Sequence, residues 1–279
     1  MNHREALAKA REFLTENQIE DAALEGEILL RHVLDISRAQ LYTELDSDLS
    51  TSDIRKLLKL VKRRIKGEPS AYITEKKEFY GLDFIVNRHV LIPRPETELL
   101  VDKAISLCRK YHYSKVADIG TGCGAIVVSL AVNIPEIEIY ATDISPKALK
   151  VAEQNCVKHN VKHRVTLLKG DMLEPLPESV DLIIANLPYV IEKEIPEKGP
   201  LSYEPRKALD GGKEGLDKIS ELCRQSSGKL NKEGSILLEI GQGQAAFVKL
   251  MIMDNFPHGS VKVLKDLAGI ERVVYFRLT

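Results

Sequence analysis

The spacing of apolar residues changes once along the chain and divides it into two parts. Over residues 4–65 the apolar positions recur three and four residues apart, as amphipathic helices require. Beyond about residue 96, short apolar runs alternate with segments of helical period, which is typical of an α/β sheet. The pattern predicts a helical N-terminal domain over residues 1–74, a β-hairpin linker over 75–95 and a larger domain over 96–279.

The last N-terminal helix is predicted over residues 53–65, with a cap at Ser50, Thr51 or Ser52. It ends in a basic string, Lys62-Arg63-Arg64-Ile65-Lys66, before Gly67. Cations near the C-terminus of a helix complement its dipole. We prefer this interpretation of the string to a nucleic-acid patch.

The linker has an extended pattern with Gly81 and Asn87 as turn candidates. After it, two prolines in Ile92-Pro-Arg-Pro-Glu-Thr-Glu98 fix the entry to a helix that runs to about Lys110. Seven strands then alternate with helices, which predicts a doubly wound, mostly parallel α/β sheet closed by a final hairpin. The predicted strands cover residues 115–119, 137–141, 165–168, 180–185, 235–240, 261–264 and 272–278.

Composition narrows the possible partners of the chain. Lys and Arg number 40 against 41 Asp and Glu, so no net basic field draws the protein to nucleic acid or to an anionic membrane. No apolar run reaches the length of a membrane span, and we expect a cytoplasmic protein. The 4 cysteines are far apart and lack histidines at ligand spacing, so no metal site is expected.

A glycine loop, Gly120-Thr-Gly122-Cys-Gly124, follows the first strand of the predicted sheet. Glycines at that point let the backbone approach a ligand, although a tight turn without a ligand would use them too. The spacing G-x-G-x-G departs from the dinucleotide fingerprint G-x-G-x-x-G. The loop therefore disfavours a nicotinamide cofactor.

Two acids end the next two strands. Asp143 follows an apolar strand about twenty residues beyond the glycines, where a carboxylate can accept both hydroxyls of a ribose. A helix cap or a solvated turn is the alternative, because Ser145 and Pro146 follow. Asp171 ends the third strand in the same way and on its own indicates only a turn.

Taken together, these strand ends resemble the nucleoside pocket of class I S-adenosylmethionine-dependent methyltransferases over residues 115–186. The resemblance implies S-adenosyl-L-methionine as cofactor and S-adenosyl-L-homocysteine as product. In that family the glycine loop passes the methionine part, the second acid binds the ribose and the third flanks the adenine. The implied cofactor residues are Gly120, Thr121, Gly122, Cys123, Gly124, Asp143, Asp171, Met172 and Asn186.

The fourth strand ends in Asn186-Leu187-Pro188-Tyr189. This turn resembles the Asn/Asp-Pro-Pro-Tyr signature of methyltransferases that act on planar nitrogen. Such a nitrogen is a poor nucleophile, so the Asn186 oxygen and the carbonyl of Leu187 would hold its N–H groups. Pro188 would stiffen the turn, and Tyr189 would pack on the face of the target. Leu187 replaces the usual proline, as in ribosomal RNA adenine dimethyltransferases.

Further segments resemble the peptide chain release factor glutamine N5-methyltransferases, the HemK or PrmC family, over nearly the whole chain. They are Glu68-Pro-Ser-Ala-Tyr-Ile73, Leu91-Ile-Pro-Arg-Pro-Glu-Thr-Glu98, Tyr203-Glu-Pro-Arg-Lys-Ala-Leu209 and Glu271-Arg-Val273. The resemblance implies methylation of the glutamine of the Gly-Gly-Gln motif of class I release factors, gripped by the helical domain. Glu75 departs from the family's usual glycine.

Other acceptors stay open at this point: a glutamine of ribosomal protein L3, or adenine N6 of RNA or DNA. We expect no direct nucleic-acid binding, because the overall charge is neutral and no basic domain is added. Arg94 and Glu96 are interpreted as positioning groups near the pocket mouth. Arg94 and Glu204 are expected to contact the substrate, with Glu204 and Gly211, Gly212 and Gly215 in a mobile loop.

Overall fold

Helices build the N-terminal part of the protein, which the computed structural model describes together with the rest of residues 1–279. A capping box at Asn2 starts the first helix, and the Ser50 side chain caps the fourth, as predicted. A buried cluster that includes Leu14, Leu29 and Leu57 joins them. The helices are α1 (His3–Glu16), α2 (Ala22–Leu34), α3 (Arg38–Thr43), α4 (Thr51–Ile65) and α5 (Ser70–Thr74).

These helices belong to the first of two compact units, Met1–Lys76 with Pro196–Tyr203. Within this unit the basic string lies at the end of α4, and two of its arginines form ion pairs. Arg64 is buried against Glu25, and Arg63 binds Glu68 through two hydrogen bonds. The hydroxyl of Tyr203 donates to the carbonyl of Lys66 at 3.0 Å. The basic end thus serves the packing and termination of α4.

The backbone conformation of Glu75 explains why the family usually has glycine at this position. It is the C-cap of α5 and adopts the left-handed conformation, with φ 55° and ψ 24°. An L-residue there costs about 1–2 kcal/mol, whereas glycine adopts this conformation freely.

We expect Glu75→Gly to raise the free energy of unfolding by up to about 1 kcal/mol, because relief of the left-handed strain exceeds the entropy that glycine loses on folding. Urea denaturation measures the change. Glu75→Ala is the matched control, since it removes the carboxylate and keeps the strain. A glycine variant less stable than the alanine variant would contradict this explanation.

The second unit comprises Lys77–Ile195 and Glu204–Thr279. The hairpin before its sheet consists of β1 (Lys76–Phe79) and β2 (Leu82–Ile85). Tyr80 and Gly81 form the turn and both have positive φ, as a tight hairpin turn requires. The chain then runs without regular structure to a short 3₁₀ turn, Pro95–Thr97, which leads into α6 (Glu98–Tyr111).

Seven strands form one sheet in the order β5-β4-β3-β6-β7-β9-β8. The first five strands in this order are parallel to one another, and β9 pairs antiparallel with both β7 and β8. The predicted doubly wound sheet with a final hairpin is confirmed. The strands are β3 (Lys115–Ile119), β4 (Glu138–Asp143), β5 (Val165–Lys169), β6 (Val180–Ala185), β7 (Leu230–Glu239), β8 (Ser260–Lys265) and β9 (Glu271–Arg277).

Apolar helices cover this sheet and complete the core. Fully buried strand residues such as Ile183 and Ile236 pack with Leu222 and Val248 of the helices. The remaining helices are α7 (Ala125–Asn133), α8 (Pro146–Lys158), α9 (Asp217–Ser226) and α10 (Ala245–Asn255). Helix α9 was not predicted, because it follows a glycine-rich polar segment. None of the helices combines the length and apolar character needed to cross a bilayer.

Candidate active site

A cavity of about 760 Å³ lies at the carboxyl ends of β3, β4 and β6. The neighbours of β3 are β4 on one side and β6 on the other, so this is the point where the strand order reverses. Ligands of open α/β sheets bind at such a switch point, because the connections on its two sides diverge there. The volume falls within the range of small-molecule sites.

The glycine loop after β3 forms one wall of the cavity. Gly120, Gly122 and Gly124 have φ values of 73°, 56° and 81°, which side-chain-bearing residues rarely adopt. A Cβ atom on Gly120 would lie 3.2 Å from the Leu187 side chain, so the loop is closely packed against the turn after β6. Thr121 also lines the cavity, and its buried hydroxyl oxygen has no hydrogen-bond partner in the chain.

Asp143, the last residue of β4, lines the cavity beside the glycine loop. Its carboxylate accepts the N–H of Gly122 at 3.0 Å and the N–H of Ser145 at 2.8 Å. Burial raises the pKa of Asp143, and these two N–H groups act in the opposite direction. Ser145, not Asp143, caps α8. Each carboxylate oxygen therefore retains a lone pair that can accept a ligand hydroxyl.

Asp118 precedes the loop within β3 and has an unusual environment. Its side chain is fully buried, and neither carboxylate oxygen has a hydrogen-bond partner. Burial raises the pKa of Asp118 to about 7, because the charged form loses its hydration; the neighbouring Thr121 hydroxyl acts in the opposite direction, and the Asp143 charge adds to the rise. Burial of an acid without hydrogen bonds is unfavourable, so Asp118 lowers the stability of the folded protein.

The turn after β6 forms the opposite wall, through Asn186, Leu187 and Pro188. Neither the Asn186 Oδ1 nor the Leu187 carbonyl oxygen accepts a hydrogen bond from the chain. Glycines pack behind this turn: a Cβ on Gly211 would lie 2.8 Å from the Pro188 carbonyl oxygen. The backbone of the turn is thus fixed from behind, while two of its acceptor oxygens have no partner in the chain.

Four side chains around this turn form a continuous hydrogen-bonded relay. The Asn186 amide nitrogen donates to the Thr97 hydroxyl oxygen at 3.0 Å. The Thr97 hydroxyl donates to Glu239 at 2.6 Å, and the Tyr189 hydroxyl donates to the other Glu239 oxygen at 3.2 Å. Burial raises the pKa of Glu239, while the two hydroxyls act in the opposite direction. Sequence reasoning missed Thr97 and Glu239 as members of the site.

Arg94 lines the cavity mouth and pairs with Glu204, whose side chain is buried. The other Glu204 oxygen accepts the N–H of Ile92 at 3.1 Å. Glu96 is exposed and is not the partner of Arg94. In the segment expected to be mobile, Val190 bridges to Asp210 and Gly211 donates to the Val190 carbonyl, and its mobility stays a prediction.

The structure brings most of the predicted site residues to one cavity. The lining includes Arg94, Gly120, Thr121, Gly122, Cys123, Asp143, Asp171, Met172, Asn186, Leu187 and Pro188. Gly124, Tyr189 and Glu204 do not line it. Tyr189 instead supports the turn from behind, because its hydroxyl binds Glu239 and its ring lies against Gly241. Asp171 is exposed at the rim, beside the buried Met172.

The donor set fits a nucleoside cofactor with a polar tail. The glycine cradle leaves room for a close backbone approach, and Asp143 retains lone pairs for two hydroxyls. Thr121 adds a buried hydroxyl without a partner. An apolar wall formed by Ile144, Met172 and Leu187 suits a planar base.

Comparisons with known proteins agree with this geometry. Residues 5–74 match the family model of the PrmC N-terminal domain, and residues 96–198 match that of the methyltransferase small domain. A methyltransferase structure from Pyrococcus furiosus aligns with TM-score 0.53 and 20% identity, covering 72% of this chain and 91% of that one, which shows the class I methyltransferase fold.

Other proteins are more similar to this chain in sequence than the Pyrococcus furiosus methyltransferase is. The release factor glutamine methyltransferase of Moorella thermoacetica is 38% identical over 274 residues, which cover 98% of this chain and 97% of the relative. That of Geobacter sulfurreducens is 38% identical over 278 residues, covering 99% and 96%. Identity of this extent, through the helical part and the cavity alike, means that the chain belongs to the release factor glutamine methyltransferase family.

Proposed function

We propose that this protein transfers a methyl group from S-adenosylmethionine to the side-chain amide nitrogen of the glutamine in the Gly-Gly-Gln motif of class I release factors. The observation that carries the proposal is the Asn186 turn, which lines the same cavity as the glycine loop and has two acceptor oxygens without partners in the chain. Family membership supports the release factor as substrate.

The loop and the strand-end acids would hold the cofactor. Backbone groups of Gly120 to Cys123 would bind its methionine part, Asp143 would accept the ribose hydroxyls, and Asp171 with Met172 would border the base. When bound, S-adenosylmethionine supplies an electrophilic methyl group on a sulfonium. Burial of that group among apolar walls excludes water, which would otherwise compete for the methyl.

The turn prepares the acceptor nitrogen. An amide nitrogen is planar and its lone pair is delocalised, so it attacks only when held in a geometry that exposes the lone pair. The Asn186 Oδ1 and the Leu187 carbonyl oxygen accept its two N–H groups and direct the lone pair to the methyl. The nitrogen loses a proton after transfer, and solvent is a sufficient acceptor. No side chain of the cavity is needed as a strong base.

Arg94 borders the mouth and binds the incoming segment of the substrate. Glu204 supports it, because both Glu204 oxygens are already engaged within the chain. This role differs from the direct substrate contact expected of Glu204.

Methyl transfer to a purified, unmethylated release factor tests the proposal. The measurement follows label from S-adenosylmethionine into the factor and into a copy whose Gly-Gly-Gln glutamine is replaced by alanine. We expect label in the first copy alone. Label in neither, with the cofactor still bound, would overturn the proposed substrate, and ribosomal protein and RNA would be tested next.

Asp143→Ala should weaken cofactor binding by roughly 1.5–3 kcal/mol, because hydrogen bonds to a charged acceptor are lost. Isothermal titration calorimetry with S-adenosylmethionine measures the change. Glu174→Ala is the control, since Glu174 is exposed and lies outside the cavity lining. Equal affinity of both variants would remove Asp143 from the ribose site.

A further inference from the structure

The buried relay behind the turn determines which end of the Asn186 amide faces the substrate. Thr97, the last residue of the 3₁₀ turn, is 4% exposed, and Glu239, the last residue of β7, is 2% exposed. They lie 142 residues apart in sequence and are joined by the 2.6 Å hydrogen bond. Neither residue has a role in the proposed chemistry described so far.

The protons of the relay can be assigned from the chemistry of its groups. A threonine hydroxyl carries one hydrogen, and here that hydrogen is donated to Glu239. The Thr97 oxygen can then only accept from Asn186. The Tyr189 hydroxyl donates to the second oxygen of Glu239, so both carboxylate oxygens are satisfied as acceptors.

These donors and acceptors allow only one orientation of the Asn186 amide. The amide NH₂ group must face Thr97, and the amide oxygen must face the cavity. The reversed amide would place two acceptor oxygens about 3 Å apart without a hydrogen between them. It would also present a donor to the NH₂ group of a substrate amide, which is itself a donor.

We propose that Thr97 and Glu239 are positioning residues that fix the polarity of the Asn186 amide, so that its oxygen is always available to the acceptor nitrogen. The inference rests on the proposed function, because it assigns these residues to the orientation of Asn186. Glu239 acts on both members of the turn: on Asn186 through Thr97, and on Tyr189 directly.

A double-mutant cycle tests the relay. Thr97→Val keeps the shape of the side chain and removes the hydroxyl. We expect it to lower kcat by about 10- to 100-fold with little change in KM for either substrate, the scale for losing a preorganised polar group. Thr97→Ser retains the hydroxyl and should recover kcat to within about threefold.

The same change in the Asn186→Ala background distinguishes positioning from a structural role. If Thr97 acts through Asn186, Thr97→Val should then alter turnover by less than about twofold. An equal loss in both backgrounds would overturn the proposal, because Thr97 would then act independently of Asn186. Thermal unfolding of each variant, followed by circular dichroism, verifies that the compared proteins are folded.

Glu239→Gln provides a second approach that does not depend on the valine variant. Glutamine has one acceptor oxygen, so it can satisfy only one of the two hydroxyls and offers a donor to the other. We expect kcat to fall while the Kd for S-adenosylmethionine, measured by calorimetry, stays within about twofold. Unchanged kcat in this variant would contradict the relay. Failure of the unaltered protein to methylate a release factor would instead contradict the proposed function.

Discussion

Replacing Asn186 with alanine is expected to lower turnover by about 10² or more while S-adenosylmethionine binding remains largely intact. The amide oxygen is one of two acceptors in the cavity that are free of partners in the chain. Its loss leaves the acceptor nitrogen held only by the Leu187 carbonyl, so the lone pair is no longer directed at the methyl.

Steady-state methyl transfer to a release factor measures this effect, and calorimetry with S-adenosylmethionine is the control for the cofactor site. Saturating concentrations of both substrates are needed, because the expected loss is in kcat. Turnover equal to that of the unaltered protein would remove Asn186 from the mechanism. A parallel loss of cofactor affinity would instead assign Asn186 mainly to the cofactor.

The second large effect concerns stability and arises from Asp118. Its pKa is about 7 in the folded protein against an ordinary value of 3.8. The folded state therefore holds a proton that the unfolded chain releases, and the free energy of unfolding falls as the pH rises from about 4 to about 7. This difference between the two pKa values corresponds to up to about 4 kcal/mol of the free energy of unfolding at pH 8.

Asp118→Asn should remove this component, because an amide does not ionise. We expect the variant and the unaltered protein to unfold with similar free energies at pH 4, and the variant to be the more stable by several kcal/mol at pH 8. Denaturant unfolding at both pH values in the absence of cofactor measures the difference, and the acidic measurement is the internal control. A difference independent of pH would contradict the buried, protonated state of Asp118.

Much of the sheet could be predicted from the sequence, since buried parallel strands are continuous apolar runs. The bounds of β3 and β6 agree with the prediction, and so does the order of the strands along the chain. Strand β7 begins at Leu230, before the predicted residue 235, because Leu230 pairs with Val180 and a register shift separates this pair from the one that joins Leu182 to Ser235. Helix α9 was missed, because it follows a glycine-rich polar segment.

The site was predicted only in part. The two residues that were not predicted, Thr97 and Glu239, were missed for the same physical reason. Strand-end acids and glycines are visible because they interrupt apolar runs at regular intervals. Thr97 and Glu239 act through each other across a long sequence separation, which no local pattern encodes. The available signal was the carboxylate that ends the apolar run of β7. Tyr189 was assigned to the substrate face, whereas its hydroxyl contact with Glu239 turns it to the opposite side.

The glycines packed behind the Asn186 turn have a consequence for sequence variation within the family. Gly211 has no space for a side chain, because a Cβ would approach both the Pro188 carbonyl oxygen and the Tyr189 Cα at 2.8 Å. Any larger residue pushes on the backbone that carries the acceptor carbonyl. We therefore expect Gly211 to tolerate substitution as poorly as Asn186, although it performs no chemistry itself.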